Sequence, residues 1–507
     1  MTAAIKIYAL IPLLLVLQFI AGCNHPKNKS ATEGEKLAIT HCGSCHALPE
    51  PALLDKNTWR QDIMPVMGRK LGLDYIYELP LKDTQKQSLS IQDFKKIAEW
   101  YYTNAPDTMG RQNRYPIHEV TNMFAAKKVQ VADRQYPATS YIKIDPGNHW
   151  IYAANAFDSS MTIYDSQLNL VSKYLVKGTL IDINFDNTLQ QKGNRQGILT
   201  LIGMMNPNDL KTGTVHSFTI SAKGSFTSIN RLFDSLPRPV QTISGDIDMN
   251  GQTDYVVCGF GNTTGALYWI KEQNGIIEKQ ILKELPGAIK AYIDDFNRDG
   301  RPDIIVLMAQ AREAVFIFFN LGNGNFDTRE VLSFPTINGS SYFELIDFNN
   351  DGFKDILYTC GDNADYTGNV LKNYHGLYIF LNDGNNRFTQ KYFFPLYGCY
   401  KAIARDFDKD GDPDIAAISY FPDIKKQPQE SFVYLEQIKS FQFRPSVIKE
   451  FNEGRWLTMD AGDADGDGDE DIVLGSLIPP YKEQQEKWKE ASVQKAALLL
   501  LENKHHQ

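Results

Sequence analysis

Short apolar blocks alternate with polar, turn-rich blocks along most of this chain, and this pattern predicts β-strands. Five apolar runs each follow directly after a stretch rich in Asp, Asn and Gly, which is typical of strands bounded by turns. These runs are residues 255–258, 304–307, 356–359, 415–418 and 472–475. In segments 316–326 and 378–388, two apolar runs flank an Asn/Gly turn, which indicates a β-hairpin. Most of the chain is therefore predicted to be all-β.

The N-terminal hundred residues follow a different pattern. Residues 89–101 place apolar side chains at helical spacing behind an N-cap residue, Ser90, and predict an amphipathic helix. A shorter helix is predicted over 34–39. Residues 7–20 are mostly apolar, but the stretch is short and polar sequence follows closely, so an export signal is favoured over a membrane span.

The apolar stretch ends in Ile20-Ala21-Gly22-Cys23, which resembles the lipobox of bacterial lipoproteins. The resemblance implies that residues 1–22 are a signal peptide and that Cys23 is acylated and becomes the mature N-terminus. Residues 23–32 would then tether the protein to a membrane that faces an extracytoplasmic compartment. Asn24 is compatible with the outer membrane by analogy. The alternative is an ordinary signal peptide with an incidental cysteine.

Length and charge narrow the function classes. The chain has 507 residues, 43% of them hydrophobic and 22% charged, which favours a folded protein with more than one domain. The formal net charge is −9 and no basic block occurs, so nucleic acid is not expected as a partner. Of the six cysteines, Cys258, Cys360 and Cys399 have no assigned role, and this odd remainder argues against a disulfide framework. Two alternatives stay open for these cysteines: a Cys360–Cys399 disulfide bridge, or buried free thiols.

A C-x-x-C-H motif occurs at Cys42-Gly43-Ser44-Cys45-His46. At this spacing two thiols on one helical turn reach the two vinyl groups of one haem, and the histidine faces the iron. With the predicted helices on either side, the motif resembles a class I cytochrome c domain over residues 33–107. The resemblance implies a small all-α domain in which Cys42 and Cys45 hold haem c and His46 is an axial ligand.

The loop between the predicted helices is expected to supply the sixth iron ligand, and it offers two candidates. Met67 is preferred, because Gly68 lets the backbone approach the haem closely, and Met64 is the alternative. A thioether opposite histidine raises the reduction potential and suits electron transfer. If both methionines pack in the core instead, the iron is five-coordinate.

A nine-residue pattern recurs five times in the remaining sequence, with Asp or Asn at positions 1, 3, 5 and 9 and glycine at position 6. The first positions lie 49, 52, 59 and 57 residues apart, a period that suits one propeller blade. The oxygen-bearing residues are Asp246, Asp248, Asn250 and Asp254; Asp295, Asn297, Asp299 and Asp303; Asp347, Asn349, Asp351 and Asp355; Asp406, Asp408, Asp410 and Asp414; and Asp463, Asp465, Asp467 and Asp471.

Oxygen ligands at this spacing around a glycine turn predict a calcium loop, to which the carbonyl of position 7 can add a further oxygen. An EF-hand would require glutamate at position 12. That position holds Val257, Val306, Tyr358, Ala417 and Leu474, so these loops are not EF-hands. The last loop carries the most carboxylates and is expected to bind most tightly. The alternative is a set of polar turns without metal.

A loop followed by a strand and a hairpin resembles the FG-GAP, or VCBS-type, repeats of integrin-like β-propellers. The resemblance implies four strands in each repeat and seven blades over residues 115–507. Segments 141–145 and 182–186 are interpreted as degenerate copies that supply the first two blades. The last blade lacks a fourth strand, and we expect residues 124–132 to pair with 496–502 and close the ring.

Three functions are compatible with a cytochrome c domain joined to a propeller. The first is an electron carrier whose propeller docks a redox protein or a small-molecule donor or acceptor. The second is an adhesion or polymer-binding module with an accessory haem. The third is a haem-coupled dehydrogenase. Covalent haem favours the first and third functions, and no catalytic base is identified among the scattered histidines His118, His149, His216 and His375, so a carrier is preferred over a catalyst.

Overall fold

The computed structural model describes residues 31–44, 46–73, 89–114, 116–132, 135–191, 194–273, 276–479 and 495–504. Twenty-eight β-strands in this part of the chain form seven antiparallel four-stranded sheets. The strands are β1 (Phe124–Gln130), β2 (Thr139–Asp145), β3 (Trp150–Asn155), β4 (Ser160–Tyr164), β5 (Leu170–Leu175), β6 (Leu180–Gln191), β7 (Asn194–Leu201), β8 (Gly213–Ile220), β9 (Phe226–Leu236), β10 (Pro239–Gly245), β11 (Asp254–Gly259), β12 (Ala266–Gln273), β13 (Ile276–Lys283), β14 (Ala288–Asp294), β15 (Asp303–Met308), β16 (Ala314–Gly322), β17 (Asn325–Ser333), β18 (Ser340–Ile346), β19 (Asp355–Cys360), β20 (Gly376–Asn382), β21 (Phe388–Pro395), β22 (Cys399–Arg405), β23 (Asp414–Ser419), β24 (Phe432–Lys439), β25 (Gln442–Ser446), β26 (Trp456–Gly462), β27 (Asp471–Ser476) and β28 (Ala496–Asn503).

The sheets are the blades of a seven-bladed propeller, as the resemblance to FG-GAP repeats implied. Blades 1 to 6 are β2–β5, β6–β9, β10–β13, β14–β17, β18–β21 and β22–β25, and blade 7 contains β26, β27, β28 and β1. The first strand of each blade contacts the first strands of its neighbours, so these seven strands surround the central axis. Apolar side chains pack between adjacent blades; Trp269 of blade 3, for example, shares a core with Phe316 and Phe318 of blade 4.

Strand β1 closes the ring. It pairs antiparallel with β28, with Phe124 opposite Asn503 and Lys127 opposite Leu500. The predicted pairing of the two ends of the propeller is confirmed. This pairing removes an open sheet edge from the last blade. The last blade therefore contains strands from both ends of the propeller sequence.

The two degenerate copies differ in outcome. Blade 1 forms as predicted, with a short turn between β2 and β3, and the buried Asp145 at this turn pairs with Arg195 of blade 2 at 2.6 Å. In blade 2, however, residues 182–186 lie inside strand β6, where Phe185 pairs with Gly197. The interpretation of these residues as a remnant of the loop was wrong, because their alternating pattern continues the strand into a long hairpin.

Every first strand has an irregular register with the second strand at the same place, one residue after its start. The shifts lie at Ser140, Ile181, Val240, Ile289, Ser341, Tyr400 and Leu457. An extra residue in one strand bends it and increases its twist. The bulges therefore recur at one level around the axis, near the end of the ring opposite the Asp-rich loops.

Short helices precede the propeller: α1 (Glu33–His41), α2 (Lys56–Thr58), a π-helical turn (Trp59–Ile63), α3 (Met64–Lys70) and α4 (Ile91–Asn104). The predicted helices over 34–39 and 89–101 are thus confirmed, and Ser90 caps α4 by accepting a hydrogen bond from the backbone N–H of Asp93 at 3.0 Å. Helices α1 and α4 cross closely at Gly34, where a Cβ atom would lie 2.3 Å from the Lys96 carbonyl oxygen. These helices alone do not identify a cytochrome c domain, which remains a prediction.

The helical segment packs on blade 5. Its apolar core contains Trp59, Phe94 and Tyr101, and Ile337 before β18 is buried in the same cluster. The loop between β19 and β20 reaches it as well. The backbone N–H of Thr367 donates to Asp62 Oδ1 at 3.1 Å, and the Tyr374 hydroxyl donates to the Leu53 carbonyl at 3.2 Å. Helices and ring are therefore joined by apolar and polar contacts.

Several predictions concern residues outside those the structure describes, namely the signal peptide 1–22, the lipidation site Cys23 and the second motif cysteine, Cys45. Among the described helices, none combines the length and the apolar character that a membrane crossing requires. Cys258, Cys360 and Cys399 are buried free thiols, so the open choice between thiols and a Cys360–Cys399 bridge resolves to thiols. Burial raises the pKa of Cys360 to about 12, which makes it a poor nucleophile.

Candidate calcium loops and haem-binding segment

The first carboxylate of each Asp-rich loop shapes the turn. In the blade 3 loop, Asp246 Oδ1 accepts the backbone N–H of Asn250 at 2.9 Å, and Oδ2 accepts that of Gly251 at 2.8 Å. Asp295 and Asp347 accept the corresponding pairs of amides in blades 4 and 5. The glycine at position 6 has a φ of 82° in the first loop, a left-handed conformation that glycine adopts without strain. The loop is thus held in a curled form by its own side chains.

The aspartate at position 9 ties the loop to the blade, a role that spacing did not reveal. Asp303 is fully buried; its Oδ2 accepts the backbone N–H of Phe296 at 3.0 Å, and its Oδ1 accepts that of Asn320 at 2.7 Å. Asp355 and Asp471 make the equivalent pair of contacts. This carboxylate therefore connects the start of the loop to the third strand of the blade.

An asparagine in the third strand links adjacent blades, and sequence analysis did not single it out. Asn320 Nδ2 donates to the Ile247 carbonyl in the loop of the preceding blade at 2.7 Å. Asn503 makes the same contact with the Phe407 carbonyl at 2.8 Å. Asparagine recurs at the end of the third strand in blades 4, 5 and 7, as Asn320, Asn382 and Asn503, and this recurrence was the available signal. The loops of blades 3 and 6 are thus each linked to the following blade.

Replacing Asn320 with alanine is expected to lower the free energy of unfolding by about 2 kcal/mol, because a buried carbonyl loses its hydrogen-bond partner. Chemical denaturation of the two proteins in calcium measures the difference. Asn325→Ala, at an exposed position of the same hairpin, is the matched control and should change stability by less than about 0.5 kcal/mol. Equal destabilisation by both variants would contradict the assigned link.

Carboxylates converge in these loops. In the loops of blades 3, 6 and 7, one oxygen from each of three aspartates lies within 4.8 Å of the others. Burial, together with the negative charge of neighbouring aspartates, raises the pKa of Asp414 to about 7 and that of Asp471 to about 7. In blades 4 and 5 an asparagine stands at position 3, and its amide donates to the aspartate at position 5. The converging carboxylates repel one another, and a bound divalent cation would relieve this repulsion.

Carboxylates at position 7 extend the donor set beyond the predicted residues. In blade 7, Asp469 is 1% exposed, and within the described structure neither of its oxygens accepts a hydrogen bond. Asp412 at the same position of blade 6 and Asp248 of the blade 3 loop each have one such buried oxygen. The sequence showed these position 7 aspartates, but the pattern assigned only a backbone carbonyl to that place. Oxygens of this kind fit the ligands that calcium prefers.

Calcium binding is expected to release protons at pH 6.5. In the metal-free form the pKa values of Asp414 and Asp471 are about 7, above their usual value, so these carboxyls are partly protonated and must ionise to bind the ion. The raised pKa values also mean that stability without calcium falls as the pH rises from about 4 to 7, since the folded state holds more protons than the unfolded state. Titration calorimetry in two buffers of different ionisation enthalpy measures the release, which should nearly vanish at pH 8. Equal apparent enthalpies in both buffers at pH 6.5 would contradict the prediction.

The described motif residues lie at the end of α1. Cys42 follows the helix and packs against the core of the helical segment. His46 is half-buried, and its Nδ1 lies 2.9 Å from the Ala47 carbonyl oxygen. A hydrogen bond from Nδ1 leaves Nε2 as the nitrogen that can bind a metal, as is usual for histidine ligands. The role of Cys42 and His46 in a haem site stays a prediction, and Cys45 lies outside the described residues.

Both candidate methionines lie on helix α3 and not on a loop as predicted, and their surroundings differ. Met64 is 4% exposed and is part of the apolar core, whereas Met67 is half-buried and packs at the edge of that core. A π-helical turn over 59–63 comes just before them, and such turns are frequent at functional sites. The difference in burial favours Met67 as the ligand, in line with the sequence-based preference, which stays a prediction.

Comparison with known proteins supports the repeat assignment. Residues 295–358, from the loop of blade 4 into the second strand of blade 5, match the FG-GAP-like repeat. No curated protein matches the chain. Similar solved structures include a luciferin-regenerating enzyme (TM-score 0.36, 11% identity, covering 75% of this chain and 95% of that one), the WD40 domain of Neurospora crassa Pan2 (0.42, 12%, 76% and 96%) and BBS1N in complex with ARL6DN (0.42, 8%, 76% and 99%). At these scores the likenesses carry no argument about function.

Proposed function

We propose that this protein is a membrane-anchored c-type cytochrome of an extracytoplasmic compartment, with electron transfer as its activity and a calcium-loaded propeller that docks a redox partner or substrate. The C-x-x-C-H sequence at the end of α1 carries the proposal. The motif belongs to a small helical segment that packs against blade 5, and the loop between β19 and β20 contacts that segment. Surface loops of this kind are common sites of partner binding.

Four residues of this chain would hold the haem. Cys42 and Cys45 would form the two thioether bonds, His46 would bind iron through Nε2, and Met67 would be the sixth ligand. The Ala47 carbonyl, 2.9 Å from His46 Nδ1, would fix the orientation of the imidazole ring. Bound haem c would supply one-electron transfer, and two protein ligands would leave no open position for oxygen chemistry.

Calcium would occupy the five loops in a structural role. Aspartates at positions 1 and 9 of all five loops, and at position 3 or 5 or both, supply negative charge. The carboxylates at positions 1 and 9 accept the backbone hydrogen bonds that hold the loops in their curled form. An extracytoplasmic location, through acylation of Cys23, would place the protein where calcium is plentiful. The donor or acceptor of electrons would be a redox protein or a small molecule.

A redox titration of the full chain tests the proposal. The protein is produced in a host that attaches haem c and is titrated potentiometrically while its visible spectrum is followed. One reversible one-electron transition of a low-spin haem is expected, and the Cys42→Ser, Cys45→Ser double variant should show none. A haem that is absent, or that organic solvent extracts from the parent protein, would contradict the proposed function.

A further inference from the structure

A cavity of about 490 Å³ lies where the helical segment meets the propeller. Its walls are formed by the start of α2, the linker between α4 and β1, the β19–β20 loop of blade 5 and the β23–β24 loop of blade 6. Small-molecule sites have volumes of about 300 to 1,000 Å³ and are frequent at the junctions of domains. The cavity therefore has the size and the location of a ligand site.

The two propeller loops at this cavity are longer than their counterparts in blades 1, 3 and 4. They contain residues 361–375 in blade 5 and 420–431 in blade 6, whereas the equivalent connections are residues 156–159, 260–265 and 309–313. Long loops in a compact domain are usually functional. Both extended loops border the same cavity, so the elaboration of blades 5 and 6 serves one place in the molecule.

Hydrogen bonds between the walls hold the cavity in shape. In the blade 5 loop, Asn369 Nδ2 donates to the Pro422 carbonyl of the blade 6 loop at 2.8 Å. In the linker, Gln112 Nε2 donates to the His375 carbonyl of blade 5 at 2.7 Å. The cavity is therefore formed in the absence of a ligand, which reduces the entropy that binding costs.

Two cationic side chains at this cavity have no anionic partner. Arg111 of the linker and Lys426 of the blade 6 loop line the cavity and are exposed. Within the described structure, neither side chain forms a hydrogen bond or an ion pair. Arg114, which also lines the cavity, differs because the buried carboxylate of Glu430 neutralises it. Two unpaired cations are suited to binding a carboxylate group.

Two carboxylates border the cavity as well, and they differ in their availability. Asp55 is the N-cap of α2, and its oxygens accept the backbone N–H groups of Asn57 and Thr58 at 3.0 Å and the Thr58 hydroxyl at 2.7 Å. Asp423 Oδ1 accepts the backbone N–H of Lys426 at 3.2 Å, whereas Oδ2 accepts no hydrogen bond in the described part of the chain. An ionised carboxylate can accept several hydrogen bonds, so Asp423 is available to a ligand.

Opposite charges thus line one cavity without neutralising one another. Asp423 and Lys426 are three residues apart in one turn, yet among the described residues their side chains form no ion pair, and Arg111 pairs with neither carboxylate. A ligand with only a negative charge would leave Asp423 unpaired, and a ligand with only a positive charge would leave both cations unpaired. A ligand that carries both charges would satisfy all three groups.

We propose that this cavity binds a small zwitterion with an apolar side chain, either a free amino acid or a short peptide. Arg111 and Lys426 bind its carboxylate, and Asp423 binds its ammonium group. The apolar side chain packs against Met109 and Leu371, which line the same cavity. This binding function goes beyond electron transfer and does not depend on haem.

Titration calorimetry on the purified full chain tests this site, with L-leucine and L-leucyl-L-leucine as probes. The N-acetyl derivative of each probe lacks the ammonium group, and the amide of each lacks the carboxylate. Saturable binding of at least one zwitterion is expected, and both of its derivatives should bind more weakly by about tenfold or more. Tighter binding of leucine would identify the ligand as an amino acid, and tighter binding of the dipeptide would identify it as a peptide.

Variants assign the charges. A double variant, Arg111→Gln with Lys426→Gln, should bind the zwitterion more weakly by about tenfold or more. Asp423→Asn should weaken binding and reduce the difference between the zwitterion and its N-acetyl derivative to less than about threefold. Asparagine keeps the oxygen that accepts the Lys426 N–H, so the turn is retained. Lys425→Gln, at an exposed lysine of the same loop that does not line the cavity, is the matched control and should bind as the parent does.

Four results would overturn the proposal. The first is a parent protein that binds neither probe, and the second is a parent that binds the N-acetyl and amide derivatives as tightly as the zwitterions. The third is unchanged affinity in the double variant or in Asp423→Asn. The fourth is a loss of affinity in Lys425→Gln as large as that in the double variant, which would show a general attraction to a charged loop.

Discussion

Removal of calcium by a chelator is expected to lower the melting temperature of the propeller by about 10 °C or more. The loops of blades 3 and 6 are hydrogen-bonded to the following blade, and without cations the carboxylates that converge in the loops of blades 3, 6 and 7 repel one another. A site filled at 100 times its dissociation constant contributes about 2.7 kcal/mol, so five independent sites contribute about 13 kcal/mol, comparable to the whole stability of an ordinary domain. Differential scanning calorimetry with calcium, with magnesium and with chelator measures the effect.

Single-loop variants refine this test. Asp467→Asn removes a carboxylate from the loop of blade 7 and is expected to lower the calcium-dependent stability by about 2 kcal/mol. Asp327→Asn, at an exposed aspartate outside the loops, is the matched control and should leave the calcium dependence unchanged. Identical melting curves of the parent protein with calcium and with chelator would show that the loops are polar turns that need no ion.

Met67→Ala is expected to convert the haem iron from low-spin to high-spin and to make it bind carbon monoxide, while the haem stays attached through its cysteines. The removal of a thioether ligand should also lower the reduction potential. Visible spectra of the reduced protein, with and without carbon monoxide, measure the spin state of the iron and the binding of carbon monoxide.

Met64→Ala is the informative comparison, because Met64 is in the core of the helical segment. Its loss should lower the stability of that segment by about 2 to 5 kcal/mol and leave a low-spin spectrum. The reverse outcome, with a high-spin iron in Met64→Ala and an unchanged spectrum in Met67→Ala, would assign the ligand to Met64 instead.

Most of the fold could be predicted because most blades contain the same short sequence pattern. Each Asp-rich loop marks the boundary between two strands, so five loops located the elements of blades 3 to 7. The closing pair, β1 with β28, followed from a missing fourth strand in the last repeat. In blade 2 this reasoning failed, because Asp182 and Asn184 match the start of a loop but continue a strand, and composition alone does not separate the two cases.

The finer roles within the site could not be predicted because they depend on contacts between blades. Asp303 looks like one more loop oxygen in the sequence, yet its carboxylate joins Phe296 to Asn320. The carbonyl partner of Asn320 lies about seventy residues earlier, in another blade.

The mass of the intact purified chain shows whether haem is covalently attached to this protein. The protein is produced with its own export signal in a host that attaches haem c, and its mass is measured under denaturing conditions that remove any non-covalent group. We predict the mass of the lipidated chain from Cys23 onward plus one haem. A mass that corresponds to the polypeptide without porphyrin would contradict the account of this protein as a cytochrome.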